Sequence, residues 1–193
     1  MRKDRGLAMY RLFVAIELPI AVKQHLSLLL CGVPGAKWVE PGHMHITVRF
    51  IGEVDGGALE DIVGALSRVK VGPFQIHLKG VGHFPPRQDP QTLWVGVEKS
   101  EGLSLLRSRV ESALARAGLR RERRKFHPHV RLAHLKNSKL SKVATFLSQH
   151  ALFEIAPFEA NEFCLYSSQL GSNGAFHYPE AVYKLSTKGV VDA

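Results

Sequence analysis

The sequence predicts an α+β protein built as two related lobes, and three observations carry that prediction. Short alternating or wholly apolar runs bounded by Gly and Pro read as strands, while longer runs with apolar residues three and four apart read as helices. These segments follow one another as strand, strand, helix, strand pair, helix, strand, helix, strand pair, an order that nearly repeats itself. A short motif also recurs, as "HMHITVRF" at 43–50 and "FHPHVRLA" at 126–133. The expected architecture is therefore bilobal, with two pseudo-symmetric antiparallel-sheet lobes facing each other, helices outside and a central cleft. No linker rich in Pro, Gly or Ser divides the 193 residues, so 1–193 is expected to form one domain of two intimate lobes, each contributing one histidine motif.

Taken in order, "YRLFVAIELP" is a buried strand closed by Pro19, and "AVKQHLSLLL" is an amphipathic helix. The turn "GVPGA" leads to a short strand "KWVE", and Pro41-Gly42 precedes the first motif strand. There Met44, Ile46, Val48 and Phe50 are expected on the core face, with His45, Thr47 and Arg49 on the other. "GGALEDIVGALSRVK" reads as helix, and "FQIHLKGVGHF" and "TLWVGVEK" as paired strands joined across "PPRQDPQ". The clearest helix is "GLSLLRSRVESALARAGL", where Leu103, Leu106, Val110, Leu114 and Ala117 recur at helical spacing and Gly118 is the stop. A second motif strand from about His129, a helix at "LSKVATFLSQHA", and strands at "FEANEFCLYSS" and "AVYKLST" complete the chain.

Composition narrows the function classes. At 45% hydrophobic and 22% charged residues the chain is ordinary for a soluble globular protein. It has no apolar run of the roughly 18 residues a membrane span needs, and its first twenty residues lack the pattern of a secretory signal. Cytoplasmic location and no membrane partner are the expectations. Cys31 and Cys164 have neither finger nor CxxC spacing and read as buried apolar fillers. A formal charge of +9 points to a polyanionic partner, because basic proteins gain from counterion release. Part of that charge is concentrated in "RRERRK" at 120–125, directly before the second motif.

The motif histidines admit three readings. A single histidine on a strand is most often structural, but two in similar apolar frames argue for more. His43-Met44-His45 and His127-Pro128-His129 have the HxH spacing that can direct two imidazoles at one zinc. Against a metal, the neighbouring Pro and Gly place His43 and His127 in turns or strand starts, and no acidic ligand accompanies them. Metal-free phosphoryl chemistry fits better. Near neutrality one imidazole can be a base and another a cationic acid, which is the pair that cleavage of a phosphodiester needs. Thr47, on the face of His45, can donate to a phosphate oxygen, and Arg131 adds charge beside His129.

These residues resemble the 2H phosphoesterases, in particular the bacterial RNA 2′,3′-cyclic phosphodiesterases also called 2′-5′ RNA ligases. The resemblance spans nearly the whole chain: "RLFVAIELP", "HMHITVRFIGEV", "GVGHFPP", "LWVGV", "FHPHVRLAHLK" and "EFCLYSSQLGSNGAFHY". One H-x-T-h tetrapeptide is common by chance, but two histidine motifs of this kind in this order, 84 residues apart from 45 to 129 and with matching flanks, are specific. The resemblance implies a bilobal fold with both motifs facing one cleft and no metal or other cofactor. It implies His45 as the acid that protonates the departing ribose O3′ and His129 as the base that activates water, leaving a 2′-phosphate. Thr47 would hold the phosphate, and the reverse joining of RNA ends through a 2′-5′ bond would use the same cleft.

One departure stands out. Where the family reads H-x-T-h and then a basic residue, this chain has Arg131 at the threonine position and His134 at the arginine position. Arg131 falls on the His129 face, where its guanidinium can pair with phosphate or its bulk can obstruct the cleft. The expected site is then His45 and His129 as catalysts, with Thr47, Arg131, His134 and Phe84 binding substrate. Trp38 is a further stacking candidate, and Tyr178 and Ser168 belong to the cleft rim. His25, His77 and His150 read as surface or structural residues. The expected partner is RNA with cyclic phosphate or 2′-5′ linked ends, handled by a monomer. The rival readings are an RNA-binding module with weak or lost catalysis, and a metal-dependent hydrolase.

Overall fold

The computed structural model describes residues 8–85, 91–136, 138–171 and 174–186. The strands are β1 (Tyr10–Glu17), β2 (Ala36–Trp38), β3 (His45–Val54), β4 (Phe74–Phe84), β5 (Thr92–Val97), β6 (His129–Leu135), β7 (Glu154–Ala160), β8 (Glu162–Gly171) and β9 (Gly174–Lys184). The helices are α1 (Ile20–Ser27), α2 (Gly56–Leu66), α3 (Glu101–Arg116) and α4 (Leu140–Gln149). The expected connection "PPRQDPQ" falls mostly at 86–90, outside the described residues.

The strands pair in the order β7-β4-β5-β6-β3-β1-β8-β9, with β2 also on β6. All pairings are antiparallel. The α+β architecture with pseudo-symmetric lobes is present: β3-β1-β8-β9 mirrors β6-β5-β4-β7, and the motif strands β3 and β6 meet at the centre through the single pair Ile46↔Val130. Each lobe draws on both halves of the chain, however. The strands that follow the first motif join the second motif's strand, and the C-terminal hairpin β8-β9 joins β1.

Helix packing follows the apolar spacing. On α3, Leu103, Leu106, Val110 and Leu114 are at most 1% exposed. Ser100 caps its start by accepting from the Leu103 amide at 3.3 Å, and Gly118, at φ +88°, takes the left-handed conformation that ends it. These side chains join Leu12, Val14, Ile16, Ile46 and Val130 in one core. Phe13, Ala15, His45 and Thr47 are left to the opposite sheet face, by the period of two along a strand. Among the described residues no helix is long and apolar enough to cross a membrane.

Three expectations need correction. Along β3 the alternation fails after Val48, because Ala15 pairs with Thr47 but Val14 with Arg49, so Val48 is an extra, bulged residue. Arg49 is thereby turned into the helix side, where its Nε lies 2.7 Å from Glu111 Oε1. Arg107 joins the same carboxylate at 2.9 Å and donates to the Val48 carbonyl at 2.6 Å. Phe50 emerges instead on the face of Phe13, 49% exposed. Second, "FEANEFCLYSS" is two strands broken at Asn161, which belong to opposite lobes. Pro157 in β7 and Pro179 in β9 hide these strands from pattern reading, and both prolines are tolerated because β7 and β9 are the two sheet edges. Third, Cys164 is buried as expected but Cys31 is exposed, since α1 ends at Ser27 and the chain has already turned.

Candidate active site

Both motif histidines open their strands and are held by the same device. His45 Nδ1 donates to the His43 carbonyl at 2.8 Å, and His129 Nδ1 to the His127 carbonyl at 2.7 Å. A carbonyl can only accept, so the proton sits on Nδ1 in the neutral ring and Nε2 is left to exchange protons. The prolines make those carbonyls available. Pro41 starts the 3₁₀ turn that ends at His43, and Pro128 keeps His127 out of the strand.

Continuing the Ile46↔Val130 register places His45 opposite Arg131 and Thr47 opposite His129, all four on the face away from the core. Small neighbours leave room there: Ala15 lies beside Thr47 and Gly96 beside His129. A side chain at Gly96 would come within 2.8 Å of the Lys79 carbonyl, and one at Gly82 within 2.3 Å of the Trp94 ring. Trp94 therefore lies across β4 and supports the ring cluster around His129. Phe84 packs edge-on to His129 with centroids 5.1 Å apart, while in the other lobe Phe13 stacks on His45 at 4.9 Å.

The electrostatics are those of an anion site. Arg131 makes no ion pair with any described residue. Burial lowers His45 from 6.5 to about 4, with the charges of His177 and Arg131 adding to it and the His43 carbonyl opposing. Burial likewise lowers His129, again with Arg131 adding and the His127 carbonyl opposing. Both rings are thus neutral at pH 7. If both carry protons in turn, kcat/KM follows a bell whose limbs belong to the free protein. We expect its centre on the acid side of 6.5, with activity falling about tenfold per pH unit above the higher limb. Stopped-time assays across pH check this, and a plateau extending well above pH 8 would contradict it.

Of the other expected residues, Thr47 is half-buried and its hydroxyl has no partner among the described residues, so it is available to a ligand. A bulge at Leu132, between the pairs Trp94↔Arg131 and Leu93↔Ala133, returns His134 to the face of Arg131. It sits roughly 10 Å further along β6. Trp38 packs on Phe146 of α4, at 6.2 Å, as part of the core rather than the cleft. Tyr178 is an exposed residue of β9, and Ser168 pairs with His177. His25 packs against Phe153, His77 bonds Glu98 at 2.8 Å, and His150 packs on Phe146, all away from the motifs.

Sequence reasoning missed His177, whose ring lies 5.4 Å from that of His45 and 5.7 Å from that of His43. It also missed Tyr166, which stacks on Phe13 at 5.3 Å and donates to Glu17 at 2.6 Å. Both come from the C-terminal hairpin, and only the pairing of β8 with β1 brings them to His45. No signal local to either residue announces that pairing. Among the described residues no group of three or more His, Cys, Asp or Glu is arranged to hold a metal ion.

The family model described as the 2′-5′ RNA ligase superfamily matches residues 22–171. This chain belongs to that superfamily. It is 32% identical over 177 residues to the RNA 2′,3′-cyclic phosphodiesterase of Archaeoglobus fulgidus, covering 90% of this chain and 99% of the relative. It is 34% identical over 167 residues to the enzyme of the same name from Aeropyrum pernix, covering 86% and 94%. The crystal structure of Escherichia coli LigT in its apo form shares the superfamily fold with it, at a TM-score of 0.76 and 22% identity, over 92% of this chain and 98% of that one.

Proposed function

We propose that this superfamily member hydrolyses RNA 2′,3′-cyclic phosphate ends, with His45 and His129 exchanging protons across one phosphorus atom. The observation that carries the reading is the mirrored pair of Nδ1-anchored imidazoles on adjoining strands, with the unpaired Arg131 opposite His45 and two residues along the strand from His129. The relatives named RNA 2′,3′-cyclic phosphodiesterase support the substrate class.

In this reading the cyclic phosphate sits against Thr47 and Arg131, whose hydroxyl and guanidinium donate to its non-bridging oxygens. The anion offsets the charge of Arg131, so His45 takes up a proton more readily once the phosphate is bound. His129, neutral, accepts a proton from water as that water attacks phosphorus. His45 Nε2 gives its proton to O3′ as the P–O3′ bond breaks, leaving phosphate on O2′. If an RNA 5′-hydroxyl replaces the water, the same departure of O3′ yields a 2′-5′ bond, with no nucleotide consumed. Phe84 borders the cleft beside His129 and offers a ring edge to the terminal base, while His134 is placed to meet a phosphate further along the strand.

The assignment is tested by phosphorus NMR of the product formed from an RNA ending in a 2′,3′-cyclic phosphate. The expected product is the 2′-phosphate. A 3′-phosphate would reverse which ester oxygen leaves and overturn the roles given to His45 and His129; binding with no turnover would support a binding module instead.

A further inference from the structure

We infer that the helical side of the protein carries a second, non-catalytic phosphate-binding site, a cationic groove between α2 and α3 that holds RNA backbone remote from the reacting end. The inference rests on the reading of RNA as substrate and adds a site that this reading does not contain. A cavity of about 300 Å³ is lined by Arg68, Val69, Lys70, Arg109, Ser112 and Arg116, which is four cations and no acid. An adjoining cavity shares Arg68 and Arg116, and the carboxylates on that side are Glu60 and Asp61.

The four cations are exposed, and none makes an ion pair with a described residue. The neighbouring arginines differ: Arg49, Arg107 and Arg124 are each paired with a glutamate. Collecting unpaired like charges around one concavity is unfavourable unless an anion enters it. Their placement is fixed by the fold. Arg109, Ser112 and Arg116 fall on one face of α3, three and four residues apart. Arg68 and Lys70 leave the end of α2 on a turn closed by the Val69 amide to the Leu66 carbonyl at 3.0 Å, and buried Val71 anchors the chain beyond that turn.

A second group of cations follows α3. After Gly118 the chain runs through Arg120, Arg121, Arg123, Arg124 and Lys125 towards His129. This stretch is clamped in place: the Glu122 amide donates to Glu111 at 3.3 Å, Arg49 donates to the Arg120 carbonyl at 2.7 Å, and Phe126 lies under Arg107 at 5.3 Å. Arg121, Arg123 and Lys125 remain exposed and without an ion pair among the described residues. A fixed run of cations thus leads from the end of α3 to the second motif strand. Several positive charges spaced along a groove suit the repeated phosphates of a nucleic-acid strand better than one small anion.

The test compares the triple variant Arg68→Gln/Arg109→Gln/Arg116→Gln and its Lys counterpart with the unaltered chain. Binding of an RNA of about 20 nucleotides with an ordinary 3′-hydroxyl is followed by fluorescence anisotropy over a range of salt. We expect the Gln variant to bind about tenfold more weakly at moderate salt, with a log Kd against log salt slope shallower by about 2, at roughly 0.7 per lost contact. The Lys variant should bind nearly as the parent does, and kcat/KM for a 2′,3′-cyclic mononucleotide should be unchanged in both. Equal affinity and slope in parent and Gln variant would overturn the inference, as would parallel losses on the cyclic mononucleotide. Because the probe has no cyclic end, failure of the proposed reaction would show separately, as a parent chain that binds RNA but turns over no cyclic mononucleotide.

Discussion

Replacing His45 or His129 by alanine is expected to lower kcat on a cyclic phosphate end by about three orders of magnitude each, within the range general acid–base groups supply. The double variant should be little worse than either single one, because in the proposed reaction the two groups share one proton exchange and half of it is of little use. Each ring also packs on aromatic neighbours, Phe13 for His45 and Phe84 for His129, so stability is measured beside activity. Urea midpoints close to that of the unaltered chain would confirm that the fold is kept. A single variant retaining more than about a tenth of the activity would remove that histidine from the mechanism.

The second large effect is at Arg131. If it is the phosphate's charged partner, as proposed, it should be worth about 1.5–3 kcal/mol in the transition state, so Arg131→Thr is expected to lower kcat/KM by about ten- to a hundredfold. The variant restores a hydroxyl, yet that hydroxyl lacks the charge. The pH profile should move as well, and its sign follows from the electrostatics. Arg131 lowers both His45 and His129, so without it both rise and the bell shifts to higher pH. Arg131→Lys, which keeps the charge without the planar fork, should fall between the two. A gain in kcat/KM for Arg131→Thr would show that the arginine obstructs the cleft.

Much of this site is legible in the chain itself because strands impose a period of two. His45 with Thr47, and His129 with Arg131, had to share a face wherever Ile46 and Val130 entered the core. The same rule misled at Arg49 and Phe50, since one bulged residue reverses the faces beyond it and nothing in "TVRF" marks a bulge. The helices were legible from apolar spacing, most clearly α3. The sheet order was not, because pairing β8 with β1 joins segments about 150 residues apart that share no local pattern. His177 and Tyr166 stayed hidden for that reason. Pro157 and Pro179, which read as breaks, proved to be edge-strand residues, and that distinction depends on the neighbours a strand has.

The groove on α2 and α3 also shows why the charge of +9 was informative without being sufficient. Arg120–Lys125 is visible as a run, but Arg68, Lys70, Arg109 and Arg116 are scattered in sequence and gather only when the two helices pack.

The most direct test of a proton exchange between two imidazoles that needs no ion is turnover of an RNA with a 2′,3′-cyclic phosphate end by protein freed of divalent cations with excess EDTA. The rate should equal that of the untreated protein. A rate that collapses on chelation and returns with added zinc or magnesium would contradict the account.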